Sequence, residues 1–266
     1  MPNFSVIRFL FNRNKPTEGA HPYLYLDGIW LKRVRGREVR KVDLLVANSV
    51  HFQRIQEKPC CLRGHTKAQG ELARVPSTPS LRGLSGVRLI VRYKCLGLVE
   101  AVHQYLPNAD WQRCIFHFHR NILAKVPREK VPEVAPMLKA IQAQESKEAA
   151  KEKTEKVIAK LLDMHLRSAA QILREGIDES LTYMTFPRNH WTRIRTNNVL
   201  ERMNREIRRR TRVVGNFPDG RSALMLVSAR LRHVAGTQWG ARRYLDMDRF
   251  QNQNPRKEAL EVVGAG

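Results

Sequence analysis

Asp27 stands inside the run "YLYLDGIWLK", among aromatic and aliphatic neighbours. A carboxylate set into an apolar strand gives up water, so it needs a partner or a cation. A second acid, Glu201, stands in "RTNNVLERMNREIRRRTRVVG", a segment otherwise dominated by arginine. Acids that converge from distant elements can hold hard divalent cations, and such cations neutralise charge on a reacting phosphate. Glu201 can equally be half of an i,i+4 ion pair with Arg205 on a solvated helix. The spacing alone leaves both readings open.

Cys114 and His117 form a Cys-x-x-His pair in "ADWQRCIFHFHRNIL". A structural zinc site needs a further pair at matching spacing, and the sequence offers none. Packing, or support of the face that carries the acids, is the expectation for these two residues. The remaining cysteines are Cys60, Cys61 and Cys95. Adjacent and scattered thiols do not make a disulfide framework, so free thiols are expected.

Several elements must position these groups. "HPYLYLDGIWLKRV" alternates like a strand, with Gly28 loosening it near the middle, and "GREVRKVDLLVANSV" pairs with it after a turn at Gly36. "VRLIV" reads as a short buried strand, "LGLVEAVHQYL" as an amphipathic helix, and "ADWQRCIFHFHRNILAKV" as a strand running into a helix. That alternation predicts an α/β sheet. From 128 to 186 the chain turns charged and helical, and "TFPRNHWTRI" then makes an irregular link to the arginine-rich segment. A further helix begins near Thr196, read as its N-cap. Leu200, Met203 and Ile207 form its apolar face, with Asn197, Glu201, Arg205 and Arg208 on a neighbouring stripe. "GRSALMLVSARLRHV" makes one more helix, and 249–266 reads as a tail.

Residues 48–84 follow neither period and contain three prolines. A structureless loop of that length is uncommon in a compact domain.

The chain has 266 residues with 42% hydrophobic content, which excludes wholesale disorder. Its 48 Lys and Arg against 25 acids give a formal charge of +23. Such an excess supplies the sequence-independent part of nucleic-acid affinity. Arg202, Arg205, Arg208, Arg209, Arg210 and Arg212, with Asn197 and Asn198, are the expected DNA contacts. The rival readings are a solvated face for the arginines and helix capping for the asparagines. No apolar run reaches membrane-span length, and the start lacks a signal-peptide pattern, so a cytoplasmic, nucleoid-associated protein is expected.

The runs "YLYLDGIWLK", "CLGLVEAV", "ADWQRCIFHFHRNIL" and "RTNNVLERMNREIRRRTRVVGNFPDGRSAL" resemble the Mutator-type (IS256 family) transposases of bacterial insertion sequences. The resemblance covers 20–47 and 84–248. It implies a ribonuclease-H-like fold, a DDE (Asp-Asp-Glu) triad that binds two Mg²⁺ (or Mn²⁺), and a helical insertion before the last acid. The carry-over makes Asp27 the first acid and Glu201 the third, both catalytic and metal-binding, with Cys114 and His117 as the family's Cys-x-x-His feature. The second acid is missing: Tyr93 occupies its position, and a protonated phenol is a poor Mg²⁺ ligand.

The expected organisation is therefore a first part of the catalytic core over 1–127, a helical insertion over 128–186, and the rest of the core over 187–248. Residues 48–84 do not follow the family and are expected to be an out-of-frame segment. The usual N-terminal DNA-binding region is expected to be missing, giving a truncated copy. The function implied is DNA cleavage and strand transfer in transposition, acting on DNA and as a homo-oligomer. Tyr93 makes this copy impaired, with weakened ion binding. The alternative is a non-catalytic DNA-binding relic.

Overall fold

Aromatic and aliphatic alternation along Tyr23–Arg35 produces strand β1, which runs through the middle of a five-stranded sheet. The computed structural model describes residues 20–35, 38–50, 58–64, 85–92 and 106–237, with 245 and 247. β2 (Glu38–Val50) lies antiparallel to β1, with Tyr23 opposite Val50 and Asp27 opposite Val46. β3 (Lys58–Gly64) extends the meander, with Pro59 opposite Asn48. On the other side of β1 lie β4 (Leu89–Arg92) and β5 (Asp110–Arg113), both parallel to it. The spatial order is β3-β2-β1-β4-β5, so the fold is α/β with a mixed sheet.

Strand β3 lies within 48–84, the stretch whose sequence follows neither period. "KPCCLRG" lacks alternation, but an edge strand needs only one partner. A proline costs no ladder bond where its missing N–H would face away from that partner. The rest of that stretch beyond Val50 and up to Leu84, the turn at Gly36, the helix expected at "LGLVEAVHQY" and the tail lie outside the described residues.

Seven α-helices follow among the described residues. They are α1 (Ile115–Leu123), α2 (Val131–Gln142), α3 (Lys147–Asp163), α4 (Arg167–Ser180), the single turn α5 (Trp191–Ile194), α6 (Asn198–Val214) and α7 (Gly220–Ala235). The expected irregular link before α6 is built from two 3₁₀ turns, Thr182–Thr185 and Arg188–His190, and from α5. Local capping explains several boundaries. Ser146 Oγ accepts from Ala149 N–H at the start of α3, and Asp219 Oδ1 accepts from Ser222 N–H at the start of α7. α3 ends in paired bonds from His165 N–H to Leu162 O and from Leu166 N–H to Leu161 O, with His165 at φ 60°.

The core row of β1 consists of Tyr23, Tyr25, Ile29 and Leu31, all buried against the helices. Asp27 falls in the same alternating row and is half-buried. Buried polar bonds tie the helical segment to the sheet. Gln112 on β5 donates from Nε2 to Ser180 O at 2.9 Å and accepts from Tyr183 N–H at 2.7 Å. Tyr183 in turn donates its hydroxyl to Gln142 of α2 at 3.0 Å, and burial raises its phenol to about 12. Tyr23 Oη lies 2.7 Å from His190 Nδ1, both residues fully buried. Buried hydrogen bonds of this kind favour one arrangement of layers, because breaking one leaves a polar group unpaired at a cost. Among the described residues no helix is long and apolar enough to cross a membrane.

Candidate active site

Three elements meet over the middle of β1: β1 itself, the start of α1 and the first two turns of α6. Asp27 Oδ1 accepts from the N–H of Gly28 at 2.9 Å, and Oδ2 accepts from Asn204 Nδ2 at 2.6 Å. Burial raises the Asp27 carboxyl above its ordinary value. The Gly28 N–H, the nearby His117 and the Asn204 amide oppose that rise, while the Glu201 charge adds to it. The Glu201 charge thus acts on Asp27 within one site. Glu201 Oε1 is buried, accepts no hydrogen bond among the described residues, and lies 3.7 Å from His117 Nε2. The close polar contact of Glu201 is therefore with the His117 ring. Arg205, its proposed i,i+4 partner, is exposed.

Asn197 locks the three elements together. Its backbone N–H donates to Cys114 Sγ at 3.3 Å, and its Nδ2 donates to Leu26 O at 3.0 Å, one residue before Asp27. Arg195 O accepts from Ile115 N–H beside it. The N-cap of α6 is Asn197 rather than Thr196, and its side chain makes no cap bond because it is committed to β1. Full burial also takes Asn197 away from the surface where DNA contacts were expected. Asn198 is exposed.

The inward stripe of α6 is Asn197, Glu201 and Asn204, spaced i, i+4, i+7. Arg205 and Arg208, expected on that stripe, are exposed instead, as are Arg202, Arg209, Arg210 and Arg212. Asn204 was missed by the sequence reading although it stands within the quoted run. The available signal was its place seven residues after Asn197. Position Glu201 in the first turn of α6 also lets the helix N-terminus favour its negative charge.

Cys114 is fully buried at the N-cap position of α1, and His117 is half-buried one turn in. Burial pushes the Cys114 thiol up. Ligand atoms of Cys114, His117 and Glu201 lie within 4.8 Å of one another. His119, two residues on, is held down to about 4 by burial and by the charges of Lys139 and Arg195, so it is neutral near pH 7. Trp191 is half-buried and donates its Nε1–H to Phe186 O at 2.7 Å, which fits packing. Tyr93 lies outside the described residues. The last described pair of β4 with β1 is Arg92 with Leu26, one position before Asp27.

Residues 10–241 match the family model described as transposase, Mutator family. The chain belongs to that family. This Mutator-family chain is 34% identical over 238 residues to the transposase for insertion sequence element IS1081 of Mycobacterium tuberculosis, covering 89% of the chain and 57% of that relative. It is 36% identical over 239 residues to the transposase for IS406 of Burkholderia multivorans, covering 89% and 61%. To the transposase for IS256 in transposon Tn4001 of Staphylococcus aureus it is 28% identical over 242 residues, covering 88% and 60%. The Mutator-family chain spans about three-fifths of the length of these curated relatives.

Proposed function

We propose that this chain is the core of an insertion-sequence transposase that acts on DNA by phosphoryl transfer, with catalysis impaired in this copy. The observation that carries the reading is the convergence of Asp27 and Glu201 from positions far apart in sequence, with Asn204 bonded to Asp27 at 2.6 Å. A three-strand meander continued by two parallel strands, with Asp27 on the central strand, supports the ribonuclease-H-like reading. Helices α2 to α4, between β5 and Glu201, support the reading of 128–186 as a helical insertion.

Asp27 and Glu201 are the groups that would hold hard divalent cations, Mg²⁺ or Mn²⁺, which supply charge neutralisation at a scissile phosphate and an activated water. The residues fit that role in part. Asp27 is oriented by two donors, and the buried Glu201 Oε1 accepts no hydrogen bond among the described residues, so a cation would satisfy it. Tyr93 supplies no third carboxylate. The exposed arginines of α6 would bind phosphates and set the DNA in register, while Asn197 and Asn204 hold the acids still. Tyr93 favours the second reading, a DNA-binding relic without catalysis.

A nicking assay on supercoiled plasmid with Mg²⁺, run beside a DNA-binding titration, tests the proposal. The expected result is DNA binding without nicking. Strong nicking that disappears in Asp27→Asn means another group replaces the second acid and removes the claim of impairment. No DNA binding at low salt removes the DNA reading altogether.

A further inference from the structure

Sequence spacing gives Cys114 and His117 no second Cys/His pair, but the fold brings a third donor from α6. Cys114, His117 and Glu201 each offer one ligand atom, all within 4.8 Å of one another. His117 Nε2 and Glu201 Oε1 are 3.7 Å apart. A tetrahedral ion with bonds of about 2.0–2.3 Å spaces its ligands about 3.3–3.8 Å apart. Nitrogen and oxygen ligands at about 2.0–2.1 Å stand about 3.3 Å apart, so the 3.7 Å edge closes by a few tenths of an ångström and the sulfur moves in from within 4.8 Å. Backbone N–H groups of Phe116, His117 and Asn197 face Sγ and hold its position. Glu201 Oε1 is buried and accepts no hydrogen bond among the described residues.

We propose that Cys114, His117 and Glu201 form a binding site for a borderline divalent ion of the Zn²⁺ type, sharing Glu201 with the Asp27 site. A sulfur, nitrogen and oxygen donor set selects Zn²⁺ or Co²⁺ over Mg²⁺, which takes oxygen. Because one carboxylate serves both positions, Zn²⁺ at this trio withdraws Glu201 from a hard cation at Asp27. Zn²⁺ at the trio then competes with a hard cation for Glu201. Binding rests on the geometry of the trio alone; the competition rests on the cation reading of Asp27 and Glu201 above.

Titration of the full chain with Co²⁺, followed by the thiolate-to-cobalt charge-transfer band, tests the site. The band is expected in the unmodified chain, is bleached by Zn²⁺, and persists in Asp27→Asn. It is absent in Cys114→Ser. His117→Asn, at a half-buried position, keeps the thiol but weakens Co²⁺ binding at least about tenfold. A band retained in Cys114→Ser assigns the thiolate to Cys60, Cys61 or Cys95 and overturns the proposal. Absence of the band in the unmodified chain, or unchanged Co²⁺ affinity in His117→Asn, overturns it too. A Tyr93→Asp chain that shows the band but binds no Mn²⁺ supports this site and counts against the phosphoryl-transfer reading.

Discussion

Asn204 on α6 donates a 2.6 Å hydrogen bond to Asp27 Oδ2 on β1, across 177 positions of sequence. The bond fixes the Asp27 carboxylate toward the helix that carries Glu201. It joins α6 to β1 at the site itself, beside the bond from Asn197 Nδ2 to Leu26 O.

Asn204→Ala removes that donor and leaves a half-buried carboxylate oxygen with one partner fewer. The loss should cost about 1–3 kcal/mol of stability, the range for orphaning a buried polar group. Urea unfolding of both chains reads the effect. An unchanged midpoint would show that the bond is incidental.

Asp27→Asn should stabilise the protein at pH 7. The folded-state pKa of Asp27 is raised above the ordinary 3.8, chiefly by burial, so the folded chain binds the proton more readily than the unfolded chain. Stability attributable to Asp27 is therefore greatest below about 3.8 and falls as pH rises through the folded value. Asn keeps the shape and an acceptor for Asn204 but carries no charge to desolvate. The gain in melting temperature over the parent should shrink as pH drops toward the ordinary carboxylate value. A gain that is constant with pH would rule out desolvation as its source.

Asp27 was legible because it breaks a local pattern: an acid within an apolar alternation needs no tertiary knowledge to stand out. The meander of β1 and β2 and the helices α3, α6 and α7 were legible for the same reason, through their periods. Glu201 was not, since its i+4 neighbour Arg205 offered an equally good local partner and only the longer motif favoured the site. Asn204 escaped because its place seven residues after Asn197 gains meaning only once Asp27 on β1 is known to be its partner. β3 escaped because a lone edge strand draws its stability from pairing with β2 rather than from its own alternation. The meeting of Cys114 with Glu201 is a purely tertiary fact.

Gly176→Ala should destabilise the packing of α4 on α1 and β5, although Ala is usually better than Gly in a helix by about 1 kcal/mol. A Cβ at Gly176 would collide with Arg113 Nη1 and stand 2.6 Å from Phe118 Cε2, where Arg113 already stacks on the Phe118 ring. Overpacking of about 1–3 kcal/mol outweighs the propensity gain. Thermal unfolding reads the sign directly, and an increase in melting temperature would contradict the close approach.

Arg208, Arg209 and Arg210 are all exposed on α6. Replacing the three with alanine should weaken DNA binding and lower the slope of log affinity against log salt by about 2–3, at roughly 0.9 per lost phosphate contact. Fluorescence anisotropy over a salt series measures both. An unchanged slope would place the DNA on another face.

In the proposed reading Asp27 and Glu201 are the two retained acids of a cation site whose second acid is replaced by Tyr93. Calorimetric Mn²⁺ titration of the full chain, of Tyr93→Asp, and of Tyr93→Asp combined with Asp27→Asn tests it most directly. Tyr93→Asp should bind Mn²⁺ at least about tenfold more tightly than the parent, since it restores the hard oxygen ligand that the family resemblance expects at that position. Adding Asp27→Asn should abolish that gain. A Tyr93→Asp chain with parental affinity, or a gain that survives Asp27→Asn, would contradict the account.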